Sequence, residues 1–184
     1  MAIEKYTTKC IILDEYDQGE HDRVFKVFTR EFGLLFVHAK SIRKLESKLR
    51  SHMLPRSVAV VTLVKGKEVW RLVGAEKQYA NYKHGVEVVT LLSRFIRGEG
   101  AHPQLYDRLS DFLETSTMFE DRISNLLLYY IIFLDLGYAD TKIFGITSMK
   151  EYATWSIQDL FTKTILAQDQ LRKHIHLVLK EIQL

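Results

Sequence analysis

Six cationic side chains cluster in one short segment of the chain. They fall within seventeen residues that contain a single acid, Glu46, so the segment has a net charge of +5. Clustered lysine and arginine neutralise phosphates and release condensed counterions, which gives affinity for nucleic acid without sequence preference. The alternative interpretation is a solvated charged loop. The six residues are Lys40, Arg43, Lys44, Lys48, Arg50 and Arg56.

This basic segment, residues 40–56, accounts for the charge asymmetry of the chain. Residues 1–80 contain 15 Lys/Arg and 10 Asp/Glu, a net charge of +5, whereas residues 81–184 contain 11 and 13, a net charge of −2. A positive charge that is confined to one half predicts a localised anionic partner.

Proteins that bind single strands also need flat side chains on which bases stack, each contributing roughly 1–3 kcal/mol. Phe25 and Phe28 are an odd number of residues apart in one β-prone run, so they face opposite sides of a strand and at least one belongs to the core. For every stacking candidate, a place in the core remains the alternative. The candidates are Phe25, Phe28, Phe36 and Trp70.

The other polar clusters do not form a catalytic or metal-binding pattern. The residues Glu20–Arg23 lack a nucleophile with a paired base. His174 and His176 are two residues apart, whereas i,i+4 spacing is needed to bring two metal ligands to one helix face. Cys10 is the single cysteine, which argues against a disulfide or a cysteine-rich zinc site. We therefore predict no enzymatic activity, no cofactor and no metal.

Five β-prone runs flank the basic segment in an order typical of an oligonucleotide-binding (OB) barrel, although other small β-barrels fit as well. Three runs precede the segment and two follow it. Within the segment, Leu45 and Leu49 are spaced i,i+4. Glu46 and Arg50 repeat that spacing, which favours one or two turns of helix with an exposed salt bridge. The runs are Thr8–Leu13, Arg23–Thr29, Leu34–Ala39, Val58–Val64 and Val69–Val73.

After residue 80 the apolar spacing becomes helical. Leu105, Leu109 and Phe112 share one helical face. Residues 123–136 are apolar nearly all round, as in a central buried helix, and Gly137 is placed to end it.

The predicted fold class is α+β, with two domains. Residues 1–80 form a five-stranded OB-fold barrel and residues 81–184 form an all-α helical bundle. The longest apolar run has nine residues, whereas a membrane-spanning helix needs about 20. The N-terminal residues have no apolar signal core, so we expect a cytoplasmic protein.

Four motifs follow one another in the barrel half and resemble a known signature. They are Gly19-Glu20-His21-Asp22-Arg23-Val24, Phe28-Thr29-Arg30-Glu31-Phe32-Gly33, Ala39-Lys40-Ser41-Ile42-Arg43-Lys44 and Ser47-Lys48-Leu49. In order and spacing they resemble the N-terminal pattern of the RecO family of bacterial recombination mediators, approximately G-E-x-D-R, T-R-E-x-G, A-K-G-x-R and S-x-L. Leu136-Gly137-Tyr138 also looks like a helix end of that family.

The resemblance implies an OB barrel followed by a helical domain. It implies binding of single- and double-stranded DNA, annealing of complementary strands, and loading of RecA together with RecR. It also implies contact with single-stranded DNA-binding protein through that protein's acidic, apolar C-terminal tail. The DNA contacts of the family map best onto Lys40, Arg43 and Lys44. With the charge cluster, the predicted DNA-binding residues are Lys40, Arg43, Lys44, Lys48, Arg23, Arg50 and Arg56.

Two features depart from the family pattern. Ser41 stands where the pattern has glycine, which we expect to alter the turn after the third strand. Many members also carry a four-cysteine zinc site after the helix-ending glycine, whereas no cysteine follows Tyr138 here. We interpret the chain as a short, zinc-less variant. The alternative function is an OB-fold adaptor that binds proteins and has little DNA binding of its own.

Overall fold

The computed structural model describes residues 4–67, 69–79, 82–115, 117 and 119–182. The chain divides into two compact units, residues 1–106 and residues 107–184. The first unit contains the strands, the first helix and the beginning of the second. The predicted domain boundary at residue 80 stays a prediction.

Five strands close into a barrel, as the strand order predicts. Around the barrel the order is β1-β2-β3-β5-β4, and β4 pairs with β1 to complete the circle. Every neighbouring pair is antiparallel except β3 and β5, which are parallel. Closure pairs the strand edges that an open sheet would expose. The strands are β1 (Lys5–Gln18), β2 (Asp22–Thr29), β3 (Gly33–Ala39), β4 (Val58–Lys65) and β5 (Trp70–Tyr79).

The barrel interior is filled by alternate residues of its strands. Ile12, Phe25, Val37 and Val61 belong to this buried cluster, and each is at most 1% exposed. Burying an aliphatic or aromatic side chain of this size contributes roughly 1.5–3 kcal/mol. Cys10 belongs to the same cluster, and burial raises the pKa of its thiol to about 12. It is therefore a core residue that stays protonated at neutral pH.

β1 is longer than the sequence predicts. The apolar run ends at Leu13, but the strand continues to Gln18 because its polar residues pair with β2 as far as Asp22. The register shifts between Ile12 and Asp14. Such a bulge bends a strand and increases its twist, which helps a sheet to close. Pairing with a neighbour has here overridden the weak β-propensity of polar residues.

The predicted helix within the basic segment is wrong. Residues 40–49 form successive turns, and only Arg50–His52 forms a short 3-10 helix. The backbone N–H groups of Lys44 and Ser47 each bond the carbonyl three residues earlier. Leu45 is 93% exposed, whereas Leu49 packs against the barrel core. An α-helix would have no apolar stripe to bury here, so the i,i+4 spacing does not produce one.

In the part of the chain that the structure describes, six α-helices follow the barrel, in agreement with the predicted helical region. They are α1 (Gly85–Phe95), α2 (Pro103–Thr115), α3 (Asp121–Asp135), α4 (Met149–Thr154), α5 (Ile157–Leu166) and α6 (Gln168–Glu181). α3 is buried along most of its length and packs against α5 and α6. Gly137, with φ of 79°, lies just beyond its end, as predicted. None of the helices in the described ranges is long and apolar enough to span a membrane.

Candidate nucleic-acid interface

A groove lies on the outer surface of the barrel. Its volume is about 710 Å³, and side chains of β2, β3 and β5 line it together with Gln18 at the end of β1. Strands 2 and 3 and the adjoining loops are the surface on which OB barrels bind oligonucleotides. Its main lining residues are Val24, Phe36, His38, Lys40, Arg71 and Val73.

Phe36 is the stacking candidate that the fold leaves exposed. Side chains alternate along β3, so Leu35 and Val37 enter the barrel core while Phe36 points outward and is 55% exposed. Lys26 is its register partner in β2. An exposed aromatic ring beside a cation is the combination that single-strand binding requires.

The other three stacking candidates are buried. Phe25 and Trp70 belong to the barrel core. Phe28 is on the opposite face of β2 from Phe25, as predicted, where its ring contacts His102 and Tyr106. None of the three offers a free ring face to a base.

Two further residues on this outer face escaped the sequence-based prediction. Arg71 is exposed in β5 beside His38, its register partner in β3. Tyr16 is 48% exposed in β1 and pairs in register with Val24. A hydrogen bond to Asp14 raises the pKa of Tyr16, so the phenol stays neutral. The alternation of polar and apolar residues in β5 was a signal for Arg71. Tyr16 lies beyond Leu13, where the predicted first strand ends.

Three hydrogen bonds tie the basic segment to the β1–β2 turn. The Asp22 carboxylate accepts the backbone N–H of Ser41 at 2.7 Å. The backbone N–H of Arg43 donates to the His21 carbonyl at 3.0 Å, and its guanidinium donates to the Gly19 carbonyl at 3.0 Å. The second Asp22 oxygen lies 3.3 Å from His38 Nε2. The G-E-x-D-R motif thus positions the basic segment.

Ser41 has a backbone conformation that favours glycine. Its φ is 55°, in the left-handed region that glycine adopts without strain. The hydrogen bond from its N–H to Asp22 holds this conformation. The serine is therefore strained here, and the expected alteration of the turn stays a prediction.

Two predicted DNA-binding arginines have acidic partners. Arg23 pairs with Glu15 at 2.8 Å through Nη1 and with Asp17 at 2.8 Å through Nε. Arg43 pairs with the other oxygen of Asp17 at 3.3 Å. These four side chains together have no net charge, so the two arginines attract phosphate less strongly than their number suggests.

The remaining predicted residues are spread over four places. Lys40 lines the groove. Lys44 and Lys48 are exposed and, within the described part of the chain, have no acid at ion-pair distance. Arg50 lines a separate cavity with Arg23 and Arg43. The backbone N–H of Arg56 bonds the Ile12 carbonyl at 2.8 Å, and the residue lies beside Gly85 at the start of α1. The seven cations do not form one continuous patch.

The histidines and acids form no cluster of three or more metal ligands among the residues that the structure describes. His174, one of the pair considered in the sequence, lies with Nε2 2.8 Å from the Tyr138 carbonyl. This contact gives that ring a structural role at the end of α3.

Residues 1–79 match the family model described as Recombination protein O N terminal. The matched range coincides with the five-stranded barrel and includes the motifs that hold the basic segment. Through this barrel, the chain is similar to the N-terminal domain of the RecO family.

Curated relatives show the same similarity. The chain is 30% identical over 118 residues to the DNA repair protein RecO of Dehalococcoides mccartyi, an alignment that covers 59% of this chain and 47% of that protein. It is 25% identical over 136 residues to the DNA repair protein RecO of Chlorobium phaeobacteroides, covering 68% of this chain and 52% of that protein. The chain thus spans about half the length of the curated relatives it matches.

Proposed function

We propose that the chain binds single- and double-stranded DNA, anneals complementary strands and helps to load RecA together with RecR. The observation that carries this proposal is the groove on the β2–β3 face, where exposed Phe36 shares the lining with Lys40 and Arg71. The barrel, residues 1–80, is the DNA-binding domain of this proposal, and residues 81–184 are its helical domain.

The groove has the two components that a single strand needs. A base stacks on Phe36, with Val24 and Val73 as apolar neighbours. Lys40 and Arg71, which also line the groove, neutralise phosphates of the same strand. Stacking tolerates every base because each has a π-face. Binding in the groove is therefore independent of sequence, as an annealing protein requires.

The exposed cations of the basic segment extend this surface to duplex DNA. Lys44 and Lys48 are free to contact phosphates, and counterion release favours such contacts on single and double strands alike. Neutralising the charge of one strand lowers its repulsion of a second. The groove and the basic segment thus support annealing without any catalytic group.

The similarity to the RecO family motivates the proposed partners. In this proposal the protein acts without catalysis, in the cytoplasm at the nucleoid, and contacts RecR. A second contact is the acidic, apolar C-terminal tail of single-stranded DNA-binding protein. Pull-down of each partner with the purified chain tests these contacts separately from DNA binding.

The DNA-binding proposal is tested by titrating a labelled single-stranded oligonucleotide with the wild type and with Phe36→Ala. Loss of one stacking platform, worth roughly 1–3 kcal/mol, weakens binding by on the order of tenfold. Leu45→Ala is the matched control, because Leu45 is an exposed apolar residue that does not line the groove. Equal affinities for the two variants would show that the groove is not the binding surface.

The alternative is an OB-fold adaptor with little DNA binding of its own. The pairing of Arg23 and Arg43 with acids favours it, because it removes two of the expected free charges. Annealing of complementary labelled strands separates the two functions. A wild type that recovers RecR but neither binds nor anneals DNA at low salt would establish the adaptor.

A further inference from the structure

A second cavity has a volume of about 220 Å³, and three arginines line it. We propose that this arginine cavity, formed by Arg23, Arg43 and Arg50, binds a single phosphate group of DNA at a place separate from the groove. The proposal rests on the proposed function in one respect, namely that the phosphate belongs to bound DNA.

The acids at the cavity fix two of the guanidinium groups without exhausting their donors. Arg23 donates through Nη1 to Glu15 and through Nε to Asp17. Arg43 uses Nη1 for the Gly19 carbonyl and Nη2 for Asp17. A guanidinium has five N–H donors, so each keeps donors for a further acceptor. Groups held in this way lose little conformational entropy on binding.

Arg50 supplies the charge that the acids do not balance. It is exposed, and within the described ranges it has no acid at ion-pair distance. Three arginines against Glu15 and Asp17 leave a net charge of +1 at the cavity. The planar fork of arginine matches the oxygens of a phosphate, which favours this ligand over a halide ion.

The floor of the cavity strengthens this attraction. Phe25, Ile42 and Met53 form it, and all three are at most 2% exposed. Apolar side chains lower the local dielectric constant, so a charge pair beside them interacts more strongly than one in water.

The size of the cavity limits its occupant to one group. Its volume of about 220 Å³ lies below the roughly 300–1,000 Å³ typical of sites for whole small molecules. The groove, at about 710 Å³, falls within that range. A nucleobase with its sugar suits the groove, and a phosphate with a few waters suits the cavity.

The position of the cavity connects it to the groove. Asp22 lines the groove and Arg23 lines the cavity, because consecutive residues of β2 point to opposite faces. The two sites are thus lined by neighbouring residues of one strand, so a DNA strand in the groove has the arginine cavity nearby. The phosphate that the cavity binds is either a terminal monoester or an internal diester.

The test compares Arg50→Gln with Lys48→Gln. Both residues are exposed, both substitutions remove one positive charge from the basic segment, and only Arg50 lines the cavity. The probes are one oligonucleotide with a 5′ phosphate, a 3′ phosphate or hydroxyls at both ends. We expect Arg50→Gln to weaken binding on the order of tenfold, against about fivefold for Lys48→Gln, because the arginine variant loses hydrogen bonds to a charged group as well as a positive charge.

The three probes distinguish the sources of the phosphate. A terminal monoester gives tighter wild-type binding to one phosphorylated probe, and Arg50→Gln abolishes that preference. An internal diester gives equal wild-type affinity for all three probes, and Arg50→Gln weakens all three equally. Either pattern supports the arginine cavity.

Inorganic phosphate provides a second measurement that does not need DNA. At constant ionic strength, replacing chloride by phosphate should raise the melting temperature of the wild type and of Lys48→Gln more than that of Arg50→Gln. The proposed phosphate site would be overturned if both variants lost DNA affinity equally and phosphate raised the melting temperature of all three proteins equally. If the wild type binds no DNA but phosphate raises its melting temperature more than that of Arg50→Gln, the phosphate site stands and the proposed function is refuted.

Discussion

Arg23 and Arg43 carry the same charge as Lys44 and Lys48, but the two pairs have different surroundings. The arginines are 23% and 35% exposed and share Asp17 as an ion-pair partner. The lysines are exposed and, among the residues that the structure describes, have no acidic partner. The arginines hold the β1–β2 turn and the basic segment together, whereas the lysines are available to a ligand.

This difference follows from the chemistry of the two side chains. A guanidinium donates in several directions at once, so Arg23 can hold two carboxylates and Arg43 a carboxylate and a carbonyl. A lysine ammonium is a strongly hydrated point charge on a flexible stem, which suits loose contact with a phosphate backbone. A count of positive charges along the chain treats the arginines and the lysines alike. Substitutions should distinguish the structural arginines from the lysines that bind a ligand.

The largest expected effect is on DNA affinity, in the double variant Lys44→Gln/Lys48→Gln. Each lost phosphate contact reduces the salt slope of single-strand binding by about 0.7, which corresponds to roughly fivefold in affinity at 0.1 M salt. Two lost contacts give on the order of 20-fold. The free energy of unfolding should change by less than about 0.5 kcal/mol, since both side chains are on the surface.

Titration of a labelled oligonucleotide at four salt concentrations, with urea unfolding beside it, measures both quantities. An unchanged salt slope would mean that these lysines do not contact phosphates. A loss of stability of more than about 1 kcal/mol would mean that they have a structural role after all.

Arg23→Ala should show the opposite pattern, with a large effect on stability. It removes two half-buried ion pairs, so that Glu15 loses its cation and Asp17 keeps only Arg43. We expect the free energy of unfolding to fall by about 1–2 kcal/mol. Urea unfolding of Arg23→Ala and Lys48→Ala measures the contrast, and equal stability of the two variants would contradict the structural role of Arg23.

The contrast between paired and free cations shows which features of the structure can be predicted from the sequence. The order of apolar runs predicts the barrel, because strand order and period are local properties of the sequence. The pairing of Arg23 depends on β1 continuing to Gln18, whereas the apolar run that predicts this strand ends at Leu13. Pairing between strands, which local propensity does not report, makes Glu15 and Asp17 the ion-pair partners of Arg23.

The same limit applies to the aromatic residues and the helices. The alternation of β2 places Phe25 and Phe28 on opposite faces, but only the closed barrel decides which face is inside. The helices α4 and α5 were not predicted, although each begins at a serine that caps it. Ser156 and Asp159 form a reciprocal capping box, and the S-x-x-D spacing was a signal that could have located α5.

Asp17→Asn should strengthen DNA binding by freeing charge at the arginines. The substitution removes the carboxylate that Arg23 and Arg43 share, while the amide oxygen still accepts one hydrogen bond. One negative charge fewer beside bound phosphate should raise single-strand affinity about threefold at 0.1 M salt. Glu20→Gln, which removes an exposed acid of the same turn, is the control.

The affinity of both variants is measured by the same oligonucleotide titration. An equal gain for Asp17→Asn and Glu20→Gln would show that only total charge matters. A gain confined to Asp17→Asn would show that the shared acid limits how strongly the paired arginines attract DNA.

Ser41→Gly should have the smallest effect, a gain in stability with no change in DNA binding. The left-handed φ of Ser41 costs about 1–2 kcal/mol for a residue with a Cβ, and glycine avoids that cost. The unfolded chain gains entropy from glycine, worth roughly 0.5–1 kcal/mol, which offsets part of the gain. The hydrogen bond from the backbone N–H to Asp22 is kept, so the turn does not move.

We therefore expect the free energy of unfolding to rise by about 0.5 kcal/mol in Ser41→Gly. Ser41→Ala keeps the strain and should be no more stable than the wild type. Oligonucleotide affinity should stay within about twofold in both variants, because Lys40 and Lys44 keep their charges and the turn between them keeps its shape. A less stable Ser41→Gly would show that the serine side chain, rather than its backbone, holds the basic segment beside the paired arginines.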